Sequence, residues 1–175
     1  MRKYPEPVAP FVEARNIGPS QRPTAIVLKL SMTTSDEGAA LGIANYHHSP
    51  VAPPESHHYI VDEAKVYRCV PSDRQAYSSP TGALSVLICA QPHERVPLWE
   101  DATASLVMTR AAFLVGDLVL AHKIRLKYLD GDEEAKWRKH KWRRRGGLIV
   151  KAAGTWPYQA FLDDVTSRTL FQAAY

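Results

Sequence analysis

The stretch "SHHYIVDEAKVYRCV" (Ser56–Val70) sets the architecture. "HHYIVD" and "KVYRCV" read as two short strands rich in β-branched and aromatic residues, joined by a turn at Asp62–Ala64. Two more apolar runs flank this pair at a distance. "TAIVLKL" (Thr24–Leu30) and "ALSVLICA" (Ala83–Ala90) read as buried strands. Between and after them the pattern turns helical. "SDEGAALGIANYH" reads as a short helix capped by Ser35 with acids in its first turn. The longest helix is expected from about Leu98 to Tyr128, with Leu106, Phe113, Leu114, Leu118 and Leu120 near one side. Ala104, Ala111, Ala112 and Ala121 allow that helix to pack closely. "LIV" is a further short strand, and "PYQAFLDDVTSRTLFQAA" a closing helix with Pro157 in its first turn. The expected fold class is α/β: a mixed central β-sheet of about five strands, flanked by one long helix and two shorter ones.

Residues 1–23 differ in character. Pro5, Pro7, Pro10, Pro19 and Pro23 argue for an extended arm without regular structure, followed by one domain over 24–175. "SPVAPPES" and "QAYSSPTG" read as loops. No internal repeat is visible.

The chain has 175 residues, 45% hydrophobic and 23% charged, an ordinary globular composition with room for a core. No apolar run is expected to reach the ~20 residues that span a bilayer, and "MRKYPEPVAPFVEARN" is too proline-rich and polar for a signal peptide. Cys69 and Cys89 are too few for a disulfide framework and are expected reduced and buried in strands. A formal charge of +4 and a pI near 9.1 indicate mild attraction to polyanions.

The order of motifs carries a resemblance. "FVEARNIGPSQRPTAIVL" is followed by "ANYHHSPVAPPESHHYIVDEAKVYRCVP", "QAYSSP", "ALSVLICA", the long helix, "RRRGGLIV" and "WPYQAFL". Over nearly the whole chain this resembles the type 2 N-acetylmuramoyl-L-alanine amidases and peptidoglycan recognition proteins. Within them it is most similar to amidase domains of actinobacteriophage endolysins. The resemblance implies a zinc hydrolase fold, in which two histidines and a cysteine or aspartate hold Zn²⁺. The metal activates water against the bond between muramic acid and L-alanine.

The same resemblance shows where this chain departs. The first family ligand, a histidine ending the first strand, falls at Lys29, or at Leu30 with a one-residue shift. The second, in a G-H pattern, falls at Lys151. The third falls in "AAGTWPYQ", which holds no Asp, Cys or His. The family's W-H reads Tyr77–Ser78, and the acid of its central strand falls at Leu87. A protonated lysine has donors but no lone pair for a metal. The expectation is a pseudoenzyme with no catalytic residues, no cofactor and no metal. Lys29 and Lys151 mark degenerate ligand positions, and His57, His58, Tyr59, Tyr77, Ser78 and Leu87 line the old groove.

Four of the seven histidines fall between His47 and His58. Clustered histidines suit a metal, and a new site from His47 or His48 with His57 or His58 needs Glu55 or Asp62 to complete it. The alternative is helix-capping, partly exposed histidines. His57 and His58, adjacent in a strand, should point apart, so only one faces the groove. "KWRKHKWRRR" packs seven Lys/Arg and two Trp into ten residues: Lys136, Trp137, Arg138, Lys139, Lys141, Trp142, Arg143, Arg144 and Arg145 are contact candidates around His140. It reads as a solvated connector, or as a contact for nucleic acid, an acidic protein surface or an anionic wall polymer. An inactive fold is kept for binding or assembly. The leading expectation is a virion structural protein (minor tail, tail-tip or capsid surface) made in the host cytoplasm. Its partners would be other virion proteins, reached through the arm and the basic segment. A non-catalytic peptidoglycan-binding module and an active zinc amidase with relocated ligands are the alternatives. Nucleic acid ranks below peptidoglycan as a partner, and no membrane is expected.

Overall fold

The computed structural model describes residues 4–31, 36–90, 102–125, 128–129, 147–150 and 158–174. A six-stranded mixed sheet forms the centre. Its strands are β2 (Ala25–Leu30), β3 (Tyr59–Val61), β4 (Val66–Arg68), β6 (Ala83–Ile88), β7 (Tyr128–Leu129) and β8 (Gly147–Val150). Their spatial order is β4-β3-β6-β2-β8-β7, with only β4 antiparallel to its neighbour. A separate two-stranded sheet joins β1 (Ile17–Ser20) to β5 (Arg74–Ala76). Among the described residues the helices are α1 (Ala39–His48), α2 (Ala102–His122) and α3 (Tyr158–Ala174). The α/β class expected from sequence is therefore observed, with six central strands rather than about five.

The central strands are apolar because both faces of the sheet are covered. Every residue of β6 is buried, as are the first four of β2. On one face Ile26, Leu28, Tyr59, Val61, Leu84, Val86 and Ile88 pack against α2, chiefly Val107, Met108, Ala111, Val115 and Leu118, and against Phe161 and Val165 of α3. Gly116 lets α3 pack closely. A Cβ there would lie 2.9 Å from Arg168 Cγ, so a larger residue would force the Arg168 side chain to shift. On the other face Ala40 and Ala44 of α1 and Ala14 of the arm cover Ile60, Leu87, Cys69 and Cys89.

Several sequence expectations are corrected. The helix over "SDEGAALGIANYH" begins at Ala39 behind Gly38, whose φ of 93° breaks the helical path; Ser35 lies outside the described residues. Its start is capped across space instead. Buried Asp62 accepts the Gly38 and Ala40 amides on Oδ2 (3.0 and 3.1 Å) and the Ala64 and Lys65 amides on Oδ1 (2.9 and 2.7 Å). One carboxylate thus closes the β3–β4 turn and caps α1. The long helix ends at His122, not Tyr128. Lys123 turns left-handed at φ 55°, the Ile124 amide bonds the Val119 carbonyl, and buried Ile124 joins the core, a Schellman-type stop. Leu106 and Phe113 do not face the core; they are exposed, Phe113 beneath the Arg168 guanidinium. Gln75 and Ala76, read as loop, belong to β5. The window Ser105–His122 is long and apolar enough to cross a bilayer, an apolar length the sequence reading undercounted, yet half of it is buried inside the domain as the core helix.

The arm is extended, as its prolines suggest, but they do not exclude regular structure. Ile17 pairs with Ala76 and Ser20 with Arg74, and the irregularity between them absorbs Gly18 and Pro19. A Cβ on Gly18 would meet Gln75 Cβ at 2.9 Å. Further back, Phe11 bridges Arg68, and the Val12 and Ala14 amides donate to the Arg68 and Cys69 carbonyls (2.9 Å each). The arm so shields the edge of β4.

Candidate functional site

The floor of the site is the α1-facing side of β2 and β6. Lys29 and Leu87 are aligned partners in the parallel register, and Val27 and Ser85 form the preceding pair. Two positions expected to flank the degenerate centre are thus neighbours in space. Leu28, one residue from Lys29, points into the α2 core, so strand alternation alone puts Lys29 on the α1 side.

The wall is the segment that follows α1. Ser56 Oγ accepts the Tyr77 amide (3.0 Å) and its carbonyl the Ser78 amide (3.1 Å), which locks residues 55–57 to the loop after β5. Behind it the arm holds the proline-rich rim. The Arg15 guanidinium donates to the Pro50 carbonyl, Asn16 Nδ2 to the Pro53 carbonyl (3.0 Å), and the Arg15 amide to the His47 carbonyl (2.9 Å). His48 Nδ1 donates to the Glu13 carbonyl (2.7 Å) from an exposed position.

Within this frame His57 is the central side chain. It is 1% exposed; its Nδ1 lies 2.7 Å from Ser85 Oγ and its Nε2 3.6 Å from Glu55 Oε1. With the Ser85 hydroxyl donating to Nδ1, the ring proton sits on Nε2 and faces Glu55. His47, at the end of α1, meets the His57 ring edge-on at 5.6 Å between centroids and is also buried. Burial lowers the His57 pKa to about 4, with Lys29 and His47 adding to the effect against the pull of Glu55. The His57 N–H facing it holds Glu55 well below the usual carboxylate range, with Lys29 adding to the effect. At neutral pH the contact is therefore a carboxylate against a neutral imidazole N–H rather than an ion pair.

The remaining expected groove residues divide. Ser78 joins the site, its Oγ 3.4 Å from Glu55 Oε1, and the exposed Tyr77 side chain stands at its edge. His58 turns away. The Ser85 amide donates to its Nδ1 (2.9 Å) and its Nε2–H to the Arg74 carbonyl (2.8 Å), and burial lowers its pKa to about 4. Tyr59 packs in the α2 core, not in the groove. His57 and His58 do point apart, but they precede β3 rather than lie in it. The clustered histidines are not partly exposed caps: His47, His57 and His58 are buried, and only His48 is exposed. Ser85 was legible only as a lone polar residue inside an otherwise apolar strand, a signal that such a group has a partner.

Among the described residues no three His, Cys, Asp or Glu side chains converge to hold a metal ion. The described floor carries Lys29 beside Leu87, neither of which supplies an imidazole, thiolate or carboxylate. Lys151, the "AAGTWP" loop and the segment Lys136–Arg145 lie outside the described residues. Cys69 and Cys89 are buried thiols not joined in a disulfide, and burial pushes Cys69 up to about 12, which keeps it protonated.

No family model matches the chain, and no curated protein matches it. Solved structures do. The catalytic domain of XlyA superposes with a TM-score of 0.60 at 16% identity, covering 91% of this chain and 94% of that one. The hydrolase AmiA of Staphylococcus aureus, solved with its ligand, gives 0.63 at 12% identity over 97% and 87%. The endolysin N-acetylmuramoyl-L-alanine amidase LysCS of Clostridium intestinale gives 0.56 at 11% over 93% and 98%. The chain has the fold of phage endolysin and type 2 amidase catalytic domains.

Proposed function

We propose that this chain is a non-catalytic protein on the amidase fold, serving as a structural component of a phage particle. The observation that carries the first half is the Lys29–Leu87 pair on the groove floor. An ammonium group offers no lone pair to a metal, and its positive charge opposes one. The assembly role rests on the phage endolysin neighbours and on the arm. The arm's backbone is engaged by its own domain, while Val8 and Phe11 are exposed and free to meet a neighbouring virion protein.

The test combines elemental analysis of the purified protein with a peptidoglycan-release assay and assembly with and without residues 1–16. No bound zinc, no release and lost assembly on truncation support the proposal. Zinc near one per chain with chelator-sensitive release overturns its first half, and unchanged assembly overturns its second. A second reading, a non-catalytic peptidoglycan-binding module, is favoured by the exposed Tyr77 at the groove edge and by the amidase neighbours. Sedimentation with insoluble cell wall separates the two, since a purely structural subunit stays in solution.

A further inference from the structure

Glu55 is approached from two separate parts of the chain. His57 Nε2 stands 3.6 Å from Oε1 and Ser78 Oγ 3.4 Å from the same oxygen, while the His47 ring backs His57 edge-on at 5.6 Å and Lys29 shares the sheet face that carries Ser85. His57 is itself buried and held in place by Ser85, so the donor is pre-aimed. The carboxylate is different: its side chain is 52% exposed. It hangs from a rim whose backbone is fixed by Pro53, Pro54 and the Asn16 bond to the Pro53 carbonyl. A rigid backbone with a half-exposed side chain lets the carboxylate rotate out to water without unfolding anything. Asp62 is the contrast. Fully buried and bound by four backbone amides, it cannot leave.

We propose that His57 and Ser78, above the sheet face that carries Lys29, form a carboxylate-binding site, and that the chain's own Glu55 occupies it in the absence of a ligand. The ligand it takes is an acidic side chain or C-terminus of a bound peptide, which enters as Glu55 swings out. The site is thus self-occupied, and its apparent affinity is reduced by competition with Glu55.

Acetate is the probe, titrated at matched ionic strength against chloride into the full chain. Thermal midpoint and the His57 Nε2 resonance are the readouts. Glu55→Ala empties the site and should bind acetate saturably, with a rise in midpoint that chloride does not reproduce. Glu55→Gln keeps the volume and the fold; its neutral amide is a weaker occupant, so acetate should move the His57 resonance at a concentration roughly tenfold below that needed in the unmodified chain. Adding His57→Gln to Glu55→Ala should abolish the saturable response. Equal acetate responses in all three forms, no response in either Glu55 variant, or an undiminished response without His57 would each overturn the proposal. The experiment reads neither zinc nor wall cleavage, so its failure leaves the non-catalytic reading standing, and the reverse holds.

Discussion

Toward α2 and α3, strands β2 and β6 present Ile26, Leu28, Leu84, Val86 and Ile88; toward α1 and the arm, the intervening positions are Val27, Lys29, Ser85 and Leu87. The first face is continuous hydrocarbon. The second, set off by small α1 residues Ala40 and Ala44, holds buried His57 against Ser85, with buried Asp62 at the start of α1 and His58 beneath the arm. A period of two along one strand lets a single sheet carry both. Stability can be concentrated on one side, while the other tolerates groups that cost free energy to bury unless each has a partner.

The largest expected effect breaks the polar face with acid. His57 and His58 have folded pKa values lowered to about 4 against an ordinary 6.5. The unfolded chain therefore takes up protons that the folded chain refuses. Stability should be full above pH 6.5, fall as pH drops toward 4, and level off below, each histidine contributing on the order of 3 kcal/mol at most. Urea unfolding from pH 7 to 4 measures this, and His57→Gln with His58→Gln should flatten the slope. A slope unchanged in that double variant would assign the acid sensitivity elsewhere. Glu55, a depressed carboxylate, acts in a lower window, its contribution being lost as pH falls from about 4.5 toward 2.

Next comes the apolar face. Leu118→Ala removes a fully buried side chain from the α2 core and should cost about 3 kcal/mol, read as a lower urea midpoint at constant slope. Asp62→Ala should cost about 2 kcal/mol by orphaning four amides, with faster hydrogen exchange at Ala40 and Lys65 as its signature. If exchange at those amides stays slow, Asp62 is not the cap of α1. The smallest effect is Leu106→Gln, at 59% exposure, which should stay within about 0.5 kcal/mol. Leu106 and Leu118 lie on the same helix, so the pair measures how sharply burial divides it.

Much of this was legible from residue patterns. "TAIVLKL" and "ALSVLICA" announce buried strands by their branched apolar runs, and both appear, as β2 and β6. The separation of His57 from His58 was expected from strand alternation, but both precede β3, and their contacts with Ser85, His47 and Arg74 set their directions. Other features were hidden by the limits of local signals. The α2 terminus at His122 could not be read, because no glycine marks it; Lys123 takes the left-handed turn so that Ile124 can reach the core. The facing of Leu106 and Phe113 was misjudged because apolar residues fall on every side of α2, and periodicity is weak where candidates surround the helix.

The sequence by itself determined the order of the main strands β2, β3, β4 and β6 and of the helices, the apolar character of the central strands, and the lysine near the end of β2. Those depend on residue type and spacing along the chain. Tertiary structure alone decided that Asp62 caps a helix 22 residues before it, that Ser85 holds His57, and that His57 and Ser78 meet at Glu55. Each of those contacts joins different elements, and their geometry exists only once parallel pairing of β2, β6 and β3 has set α1, the rim and the arm on one face of the sheet.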